Sequence, residues 1–208
     1  ATFQPGTGNM TELREYLANG QAATTNYQYD QYGNVTRATG PSNHKGQRYR
    51  LNYTYDNQVY THIIGIADSF GYSSSADYNF RFGVVTETRD VNHHPMTYAY
   101  DTFGRLSTMR GPYEIDKGLA YAMHFEYHPN DVVPWALTQY TDANNNPIET
   151  VHFIDGLKRL VQFKKDTSVD GQEMMVVSNR VKFDLVGRVI AKYYPMTESL
   201  GNPGVFNA

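Results

Sequence analysis

The sequence predicts an all-β protein made of repeated antiparallel hairpins. Three observations predict this fold: a turn motif that recurs along the chain, an aromatic content of 14% in which Tyr predominates, and a charged content of only 19% in 208 residues. Tyr suits a half-buried pleated surface, because its ring packs while its hydroxyl stays wet. The fold class is therefore antiparallel hairpin repeats, with one short helix near the N-terminus.

The composition argues against several classes of function. The net charge of -3 gives no basic field for nucleic acid or anionic lipid. No stretch approaches the roughly 18 apolar residues that span a membrane, and no signal-peptide pattern opens the chain. The absence of Cys excludes disulfides, thiolate metal sites and Cys nucleophiles. We therefore expect no nucleic-acid partner, no membrane span and no cofactor.

Residues 1–26 precede the repeats and are predicted to hold the helix. Leu13, Tyr16 and Leu17 recur at helical spacing within residues 11–19, and Gly20 follows as a stop signal. Residues 27–195 are assigned to the repeats and residues 196–208 to an irregular tail, within one structural domain. The segment 67–79 contains Gly71 and three consecutive serines, which predict a loop or a wide hairpin end.

An aromatic-x-aromatic-Asp-x-x-Gly-Arg motif defines the repeats. Copies at Asp30, Asp101 and Asp184 align over their whole length, the copy at Asp155 is looser, and Asp56 begins a half copy. A second element, Asp-x-Asn, recurs after 52 residues (Asp90 to Asp142), and the main motif recurs after 54 (Asp101 to Asp155). Two elements that recur together at nearly one spacing indicate a repeated structural unit.

The motif has a physical interpretation as a hairpin turn. Residues i and i+2 of a strand share a face, so the two aromatic rings pack together. Asp then accepts hydrogen bonds from backbone N–H groups of the turn, and Gly supplies the positive φ that closes it. Arg covers aromatic surface or pairs across strands. The predicted turn residues are Asp30, Gly33, Asp101, Gly104, Arg105, Asp155, Arg159, Asp184, Gly187 and Arg188. Asp101 and Asp184 are expected to begin regular turns, whereas Asp56 and Asp155 are expected to deviate.

The motif resembles the YD repeat, also called the Rhs repeat, from about Tyr27 to Pro195. The segments 80–86, 101–105 and 153–162 are similar to the Rhs-type regions of bacterial toxin-complex proteins. Two residues depart from the pattern, because Lys158 replaces the turn Gly and Asn34 replaces the Arg. The Asp-Pro-x-Gly-Leu sequence at which many Rhs proteins cut themselves is also missing, so the resemblance does not extend to autoproteolysis here.

The resemblance implies a fold and a role. It implies that the hairpins wind into a curved, spiralling sheet, which forms the wall of a hollow shell. In toxins of this family the shell encloses a C-terminal effector. The chain is then expected to be a structural piece of a large secreted or cell-surface bacterial protein, partnered by neighbouring repeats and by an enclosed effector segment. Its free sheet edges are expected to self-associate or to be covered by the terminal segments.

Calcium is a weaker hypothesis. Asp166, Ser168 and Asp170, followed by Gly171, match the first positions of a calcium loop, but Val177 stands where a bidentate Glu is needed. A second partial match comprises Asp142, Asn144 and Asn146. The alternative for each is a polar hairpin turn.

Catalysis and sugar binding are the remaining alternatives. Adjacent His93 and His94 point to opposite faces of a strand, and His124 and His128 lie on a strand pattern, so neither pair predicts a metal site. No nucleophile or phosphate-loop motif occurs, so no catalytic residue is expected and a hydrolase or transferase is the least favoured hypothesis. A carbohydrate- or receptor-binding module is the main alternative, with Trp135 and the loops 67–79 and 130–136 as its contact surface.

Overall fold

The computed structural model describes residues 1–142, 144 and 146–207, and it consists almost entirely of β-strands. The elements are β1 (Thr2–Phe3), β2 (Met10–Tyr16), β3 (Ala22–Tyr29), β4 (Val35–Ser42), β5 (Arg48–Tyr55), β6 (Ile63–Asp68), β7 (Ser73–Asn79), β8 (Val84–Arg89), β9 (Pro95–Tyr100), β10 (Leu106–Arg110), α1 (Pro112–Lys117), β11 (Met123–His128), β12 (Trp135–Thr141), β13 (Pro147–Ile154), β14 (Leu160–Val169), β15 (Gln172–Ser178), β16 (Val181–Phe183), β17 (Val189–Lys192) and β18 (Met196–Ser199).

The predicted all-β, antiparallel hairpin fold is confirmed. Sixteen strands form one sheet in which hydrogen-bonded neighbours follow chain order from β1 to β15, and β18 completes it beside β15. Strands β16 and β17 form a separate two-stranded sheet. The chain divides into two compact units, Ala1–Thr97 and Tyr98–Ala208. No helix among the described residues is long and apolar enough to cross a membrane.

In the first unit the strands form an antiparallel meander whose register shifts at the repeat motif. Two of the shifts lie between Gln28 and Tyr29 in the β3–β4 pair and between Thr54 and Tyr55 in the β5–β6 pair, each directly before a turn Asp. The β1–β2, β4–β5 and β7–β8 pairs contain further shifts. A bulge before a turn Asp increases the local strand twist and sets the side chains of the turn.

The predicted N-terminal helix is wrong. Residues 11–19 contribute to strand β2, which pairs with β3 from Glu12↔Asn26 to Tyr16↔Ala22, and then to a turn. Helical spacing of three apolar residues is a weak local signal, and cross-strand pairing with β3 and β1 overrides it.

The structure instead places its one described helix, α1, between β10 and β11. Pro112 occupies its first turn, and Gly118 ends it in a left-handed conformation with φ of 66°. The carboxylate of Glu114 accepts a hydrogen bond from the backbone N–H of Gly111 at 2.9 Å. These N-terminal Pro and C-terminal Gly signals are present in the sequence.

Residues 67–79 are not a loop. They form the end of β6, a tight turn, and the whole of β7. Strand β7 is central, since it pairs with β6 through Gly65↔Ser75 and with β8 through Ser75↔Arg89. Ladder hydrogen bonds on both sides hold the serine run extended, despite its low intrinsic preference for strands.

The buried apolar residues of the described chain all belong to the second unit. Leu137, Val151, Phe153 and Val161 form the core cluster, against which Phe183 and Phe206 pack. Phe183 comes from β16 and Phe206 from the C-terminal segment, so the β16–β17 hairpin and that segment cover one face of the sheet.

The predicted irregular tail at 196–208 is therefore wrong in part. Residues Met196–Ser199 form β18, which pairs with β15 from Met174↔Ser199 to Val177↔Met196. The polar sequence of this segment hides its partners, because the paired strand β15 lies 19 to 25 residues earlier, and the side chains that bond Glu198 and Asn207 lie still earlier, on β14.

Candidate functional site

The repeated turn is the candidate functional unit, and Asp101 shows its geometry. The backbone N–H groups of Phe103 and Arg105 both donate to Asp101 Oδ1 at 2.9 Å. Arg105 Nε donates to Oδ2 at 2.6 Å, and the N–H of Gly104 donates to the Asp101 carbonyl at 3.0 Å. Gly104 has φ of 79°, a conformation that favours Gly. The carboxylate thus closes the turn and holds the Arg.

The same bonds recur at Asp184 and Asp155. At Asp184 the N–H of Arg188 donates to Oδ1 at 2.8 Å and its Nε to Oδ2 at 2.7 Å. At Asp155 the corresponding distances from Arg159 are 3.0 and 2.7 Å. The expectation that the Asp155 copy deviates is wrong, because Lys158 adopts the left-handed conformation, with φ of 62°, that Gly adopts elsewhere.

The Asp30 copy shows how Asn34 replaces the Arg. Asn34 Nδ2 donates to Asp30 Oδ2 at 2.9 Å and to the carbonyl of Tyr60 at 2.6 Å. Gly33 has φ of 89°, and the N–H of Tyr32 donates to Asp30 Oδ1 at 2.8 Å. The Asn34 side chain, which is shorter than that of Arg, therefore closes the same turn and also contacts the turn between β5 and β6.

The Arg of the motif also packs on aromatic rings. The Arg105 guanidinium lies 4.4 Å from the ring centroid of Tyr127 on β11. Arg159 lies 3.8 Å from the ring centroid of Phe183, and its Nη1 donates to the Gly187 carbonyl at 3.4 Å. Each Arg is fixed by its own Asp and then covers an aromatic ring of a later hairpin.

Sequence reasoning missed a second link between hairpins, which is made by tyrosine hydroxyls. Tyr29 and Tyr55 directly precede the turn Asp, and their hydroxyls donate to the carbonyls of Met10 at 2.7 Å and Val35 at 3.2 Å. Tyr127 donates to the Leu106 carbonyl at 2.9 Å. These three tyrosines therefore join their hairpins to an earlier strand. The choice of Tyr over Phe at these positions was the available signal.

The charged groups of the turn are engaged in the turn's own hydrogen bonds and ion pairs. Hydrogen bonds from the Arg159 guanidinium and backbone hold the pKa of Asp155 below its usual value. The backbone N–H and guanidinium of Arg188 do the same for Asp184. A carboxylate that is ionised and fully bonded is a poor general acid or base. The arrangement therefore supports a structural task for these residues.

The copy at Asp56 deviates from the regular turn, as the sequence predicts, and the structure shows that it begins a longer turn. Its carboxylate is buried and accepts hydrogen bonds from the backbone N–H groups of five residues: Gln58, Val59, Tyr60, Thr61 and His62. Burial raises the pKa of Asp56, but these donors outweigh it, so the pKa falls well below its usual value. The side chain replaces the backbone acceptors that a shorter hairpin turn would use.

A buried polar contact holds the C-terminal segment to the second unit. Lys164 on β14 is fully buried, and its Nζ donates to Glu198 at 2.5 Å and to the Asn202 carbonyl at 3.3 Å. Gln162, also fully buried, exchanges two hydrogen bonds with Asn207 at 3.0 and 3.1 Å. The partners of both buried side chains therefore come from residues 196–207.

A row of titratable groups lies on the same unit. Glu126 Oε1 lies 3.1 Å from His124 Nε2, and Glu126 Oε2 lies 3.3 Å from His128 Nε2. Burial raises the pKa of Glu149 and of Asp166, and each carboxylate lies near another acid. Among the described residues no group of three or more His, Asp or Glu side chains is placed to hold a metal ion. The row brings acids together without forming a metal centre.

The calcium candidates are not brought together as a loop. Asp166 and Ser168 lie within strand β14, and Asp170 lies in the tight turn before β15 with φ of 51°. In the second match, Asp142 Oδ1 accepts from the N–H groups of Asn144 and Asn146, both at 2.8 Å. The first stretch is therefore the end of a strand followed by a tight turn, and the second is a hairpin turn.

Trp135 is not an open platform. Its ring stacks on His128 with centroids 3.7 Å apart and planes 5° apart, and its Nε1–H donates to Asp131 at 2.6 Å. A Cβ added at Gly204 would lie 2.6 Å from the indole, so the C-terminal segment passes against the ring edge. His128 thus covers one face of the indole, Asp131 bonds its N–H edge, and the segment at Gly204 covers part of its remaining edge.

No protein-family model matches the chain, and no curated protein matches it in sequence. Several solved structures share its fold, among them three that contain TccC3. The crystal structure of TcdB2-TccC3 has a TM-score of 0.63 at 18% identity and covers 89% of this chain and 12% of its own. The form without the hypervariable C-terminal region has a TM-score of 0.62 at 15% identity, with 89% and 14% covered. The Photorhabdus luminescens Tc holotoxin pore carrying TccC3-D651A has a TM-score of 0.64 at 14% identity, again with 89% and 14% covered. These likenesses show the fold, and this chain spans 12% to 14% of those chains.

Proposed function

We propose that this chain is a YD/Rhs-repeat segment of the β shell of a large, secreted, toxin-related protein. The observation that carries the proposal is the repeated turn. The same Asp–Arg bonds recur at Asp101, Asp155 and Asp184. In two of these copies the Arg covers an aromatic ring of a later hairpin. Such a device extends a sheet hairpin by hairpin, which is what a wall requires.

The structural neighbours support the same role. They are toxin-complex chains, of which this chain would be a small part. Its partners would then be the neighbouring repeats and an enclosed effector segment. Self-association through the sheet edges remains a prediction of the same proposal, since a sheet edge without a neighbour offers unpaired backbone groups.

We further propose that the segment is not an enzyme. The recurrent acids accept hydrogen bonds from the Arg side chains and from the turn backbone, so their carboxylate oxygens are not free to accept a proton from a substrate. The hydrolase or transferase hypothesis therefore gains no support from the turn residues.

Electron cryomicroscopy of the longest protein that contains this sequence tests the proposal. We expect its strands to continue those of flanking repeats in the wall of a hollow shell, with density for a separate segment inside. A map in which these residues form a tethered module outside any shell would contradict it.

A further inference from the structure

A cleft of about 440 Å³ lies in the first unit between two neighbouring hairpin turns. The turns join β4 to β5 (residues 43–47) and β6 to β7 (residues 68–72), so both lie at the same ends of the strands. The cleft is lined by Asn43, Gln47, Tyr49, Arg50, Ser69 and Phe70 among others. Its volume is in the range of small-molecule sites.

The turn itself does not require Phe70. Phe70 lies two residues after Asp68, and its N–H donates to Asp68 Oδ1 at 2.8 Å. The equivalent position is Lys45 in the 43–47 turn, Asn92 after Asp90 and Asn144 after Asp142, with the same N–H bond at 2.8 to 2.9 Å. A polar residue thus serves this turn equally well. Phe70 is nonetheless 76% exposed, which leaves a large apolar ring available to a ligand.

Tyr49 extends the aromatic surface. Its ring is 45% exposed and lies 5.8 Å from the Phe70 ring, centroid to centroid, at an interplanar angle of 32°. The Tyr49 hydroxyl donates to Asp68 Oδ2 at 3.4 Å. The two rings therefore form a preformed, gently bent surface, and one of them is oriented by the same Asp that closes the turn.

Polar groups with spare hydrogen-bonding capacity surround the rings. Gln47 Oε1 accepts from Asn43 Nδ2 at 3.2 Å, and Gln47 Nε2 has no partner among the described residues. Ser69 Oγ accepts the N–H of Arg50 at 3.3 Å, so its own hydroxyl proton is free to donate. The cleft thus offers an aromatic floor with both donors and acceptors at its sides.

We propose that this cleft binds an uncharged saccharide, with a sugar ring stacked on Phe70 and Tyr49. A sugar ring presents an apolar C–H face and a rim of hydroxyls that both donate and accept, which matches the floor and the sides of the cleft. The Asp68 carboxylate beside the Tyr49 hydroxyl and the Arg48 and Arg50 guanidinium groups of the lining carry opposite charges. No single sign of charge therefore dominates the cleft, and a charged ligand has no advantage over a neutral one.

Titration of the isotopically labelled chain with maltose, cellobiose and chitobiose, followed by NMR, tests the proposal. At least one disaccharide should give saturable shifts at millimolar concentration, confined to residues 41–50 and 68–72. The absence of saturable shifts with all three sugars would overturn the proposal, and so would shifts centred on Trp135.

Two variants and a control locate the site. Phe70→Asn keeps a residue that the equivalent turns carry, and it should weaken binding by about tenfold or more, the scale on which removal of an aromatic anchor acts. Tyr49→Leu is a second variant on a strand and should weaken binding as well. Phe103→Asn is the control, because Phe103 is 78% exposed at the same turn position in the second unit. Unchanged affinity in both cleft variants, or an equal loss in the control, would contradict the proposal.

Discussion

At the scale of single residues, the turn carboxylate and the residue three positions later have different roles: the first accepts hydrogen bonds, and the second supplies a positive φ. The Asp accepts two backbone N–H bonds in every copy, so it tolerates little change in chemistry. The residue three positions later only has to adopt positive φ, and Gly104, Gly187 and Lys158 all do so. The backbone conformation is therefore conserved between copies at a position where the side chain is not.

Replacing Lys158 by Gly should stabilise the protein. A left-handed conformation costs a residue with a Cβ roughly 1–2 kcal/mol, and Gly adopts it at little cost, so we expect a gain of about 1 kcal/mol in the free energy of unfolding. Urea denaturation at neutral pH measures the change. Gly104→Ala is the matched reverse variant and should lose a similar amount. A loss of stability in Lys158→Gly, or a gain in Gly104→Ala, would disprove the shared turn geometry.

Stability should fall in acid, partly through Asp56. Its folded pKa lies below the unfolded value of about 3.9, so its contribution is present above that pH and is lost as pH falls through it towards the folded pKa. The wild-type urea midpoint should therefore decline between about pH 5 and pH 2. Asp56→Asn should be less stable at neutral pH, and its midpoint should decline less over the same interval.

The control for this experiment is Asp170→Asn. Asp170 lies in an exposed turn with φ of 51°, which Asn also adopts, and its carboxylate accepts no hydrogen bond from the described residues. This variant should follow the wild-type pH curve. If Asp56→Asn also followed it, the backbone cage around Asp56 would contribute nothing to acid sensitivity.

At the scale of elements, the hairpins at the repeat motif were predictable because their signals are local. Asp101, Gly104 and Arg105 make their turn within five residues, so spacing alone identifies it. The turn at Asp68 carries the same Asp-x-x-Gly spacing. It lacks the preceding aromatic pair that defines the motif, so the sequence predicts only a loop or a wide hairpin end for residues 67–79.

The elements that sequence reasoning missed depend on partners far along the chain. Strand β2 is extended because β3 pairs with it, and strand β18 is extended because β15 does. The candidate cleft is also non-local, since it needs Phe70 and Tyr49 from different hairpins. The spacing of apolar residues within one segment contains no information about such distant partners. Helix α1 is a different case, because its Pro and Gly signals are local and sequence reasoning still missed it.

The C-terminal segment should depend on the buried Lys164–Glu198 pair. Glu198→Gln keeps the size of the side chain but leaves the fully buried Lys164 cation without its counter-charge. Breaking a buried pair in this way costs about 3–5 kcal/mol. We expect a loss of that order in urea denaturation, together with faster proteolysis after residue 195.

A double-mutant cycle separates this pair from general disruption. Adding Lys164→Met to Glu198→Gln removes the uncompensated charge, so it should restore much of the lost stability. Additive losses in the double variant would show that the two side chains act independently and that the segment is held by Phe206 and the backbone instead.

At the scale of the whole molecule, the two units differ in what holds them. In the second unit, Phe153, Val151 and their neighbours form a buried cluster under the β16–β17 hairpin and residues 196–207. In the first unit the single buried residue is Asp56, and the strands are half-exposed along their lengths. A sheet without a covered apolar face relies on its ladder hydrogen bonds and cross-strand pairs.

The first unit should therefore open more readily than the second. Amide hydrogen exchange followed by mass spectrometry should show faster exchange for β3 to β7 than for β12 to β15, because protection tracks buried apolar contacts. Peptides that contain Asp56 should be the slowest of the first unit, since its carboxylate holds five N–H groups of one turn. Flanking repeats offer a comparison: if they cover the first unit in a shell wall, its exchange should slow in the longer protein. Equal protection of both units in the isolated chain would mean that ladder hydrogen bonds alone stabilise the sheet as well as a core does.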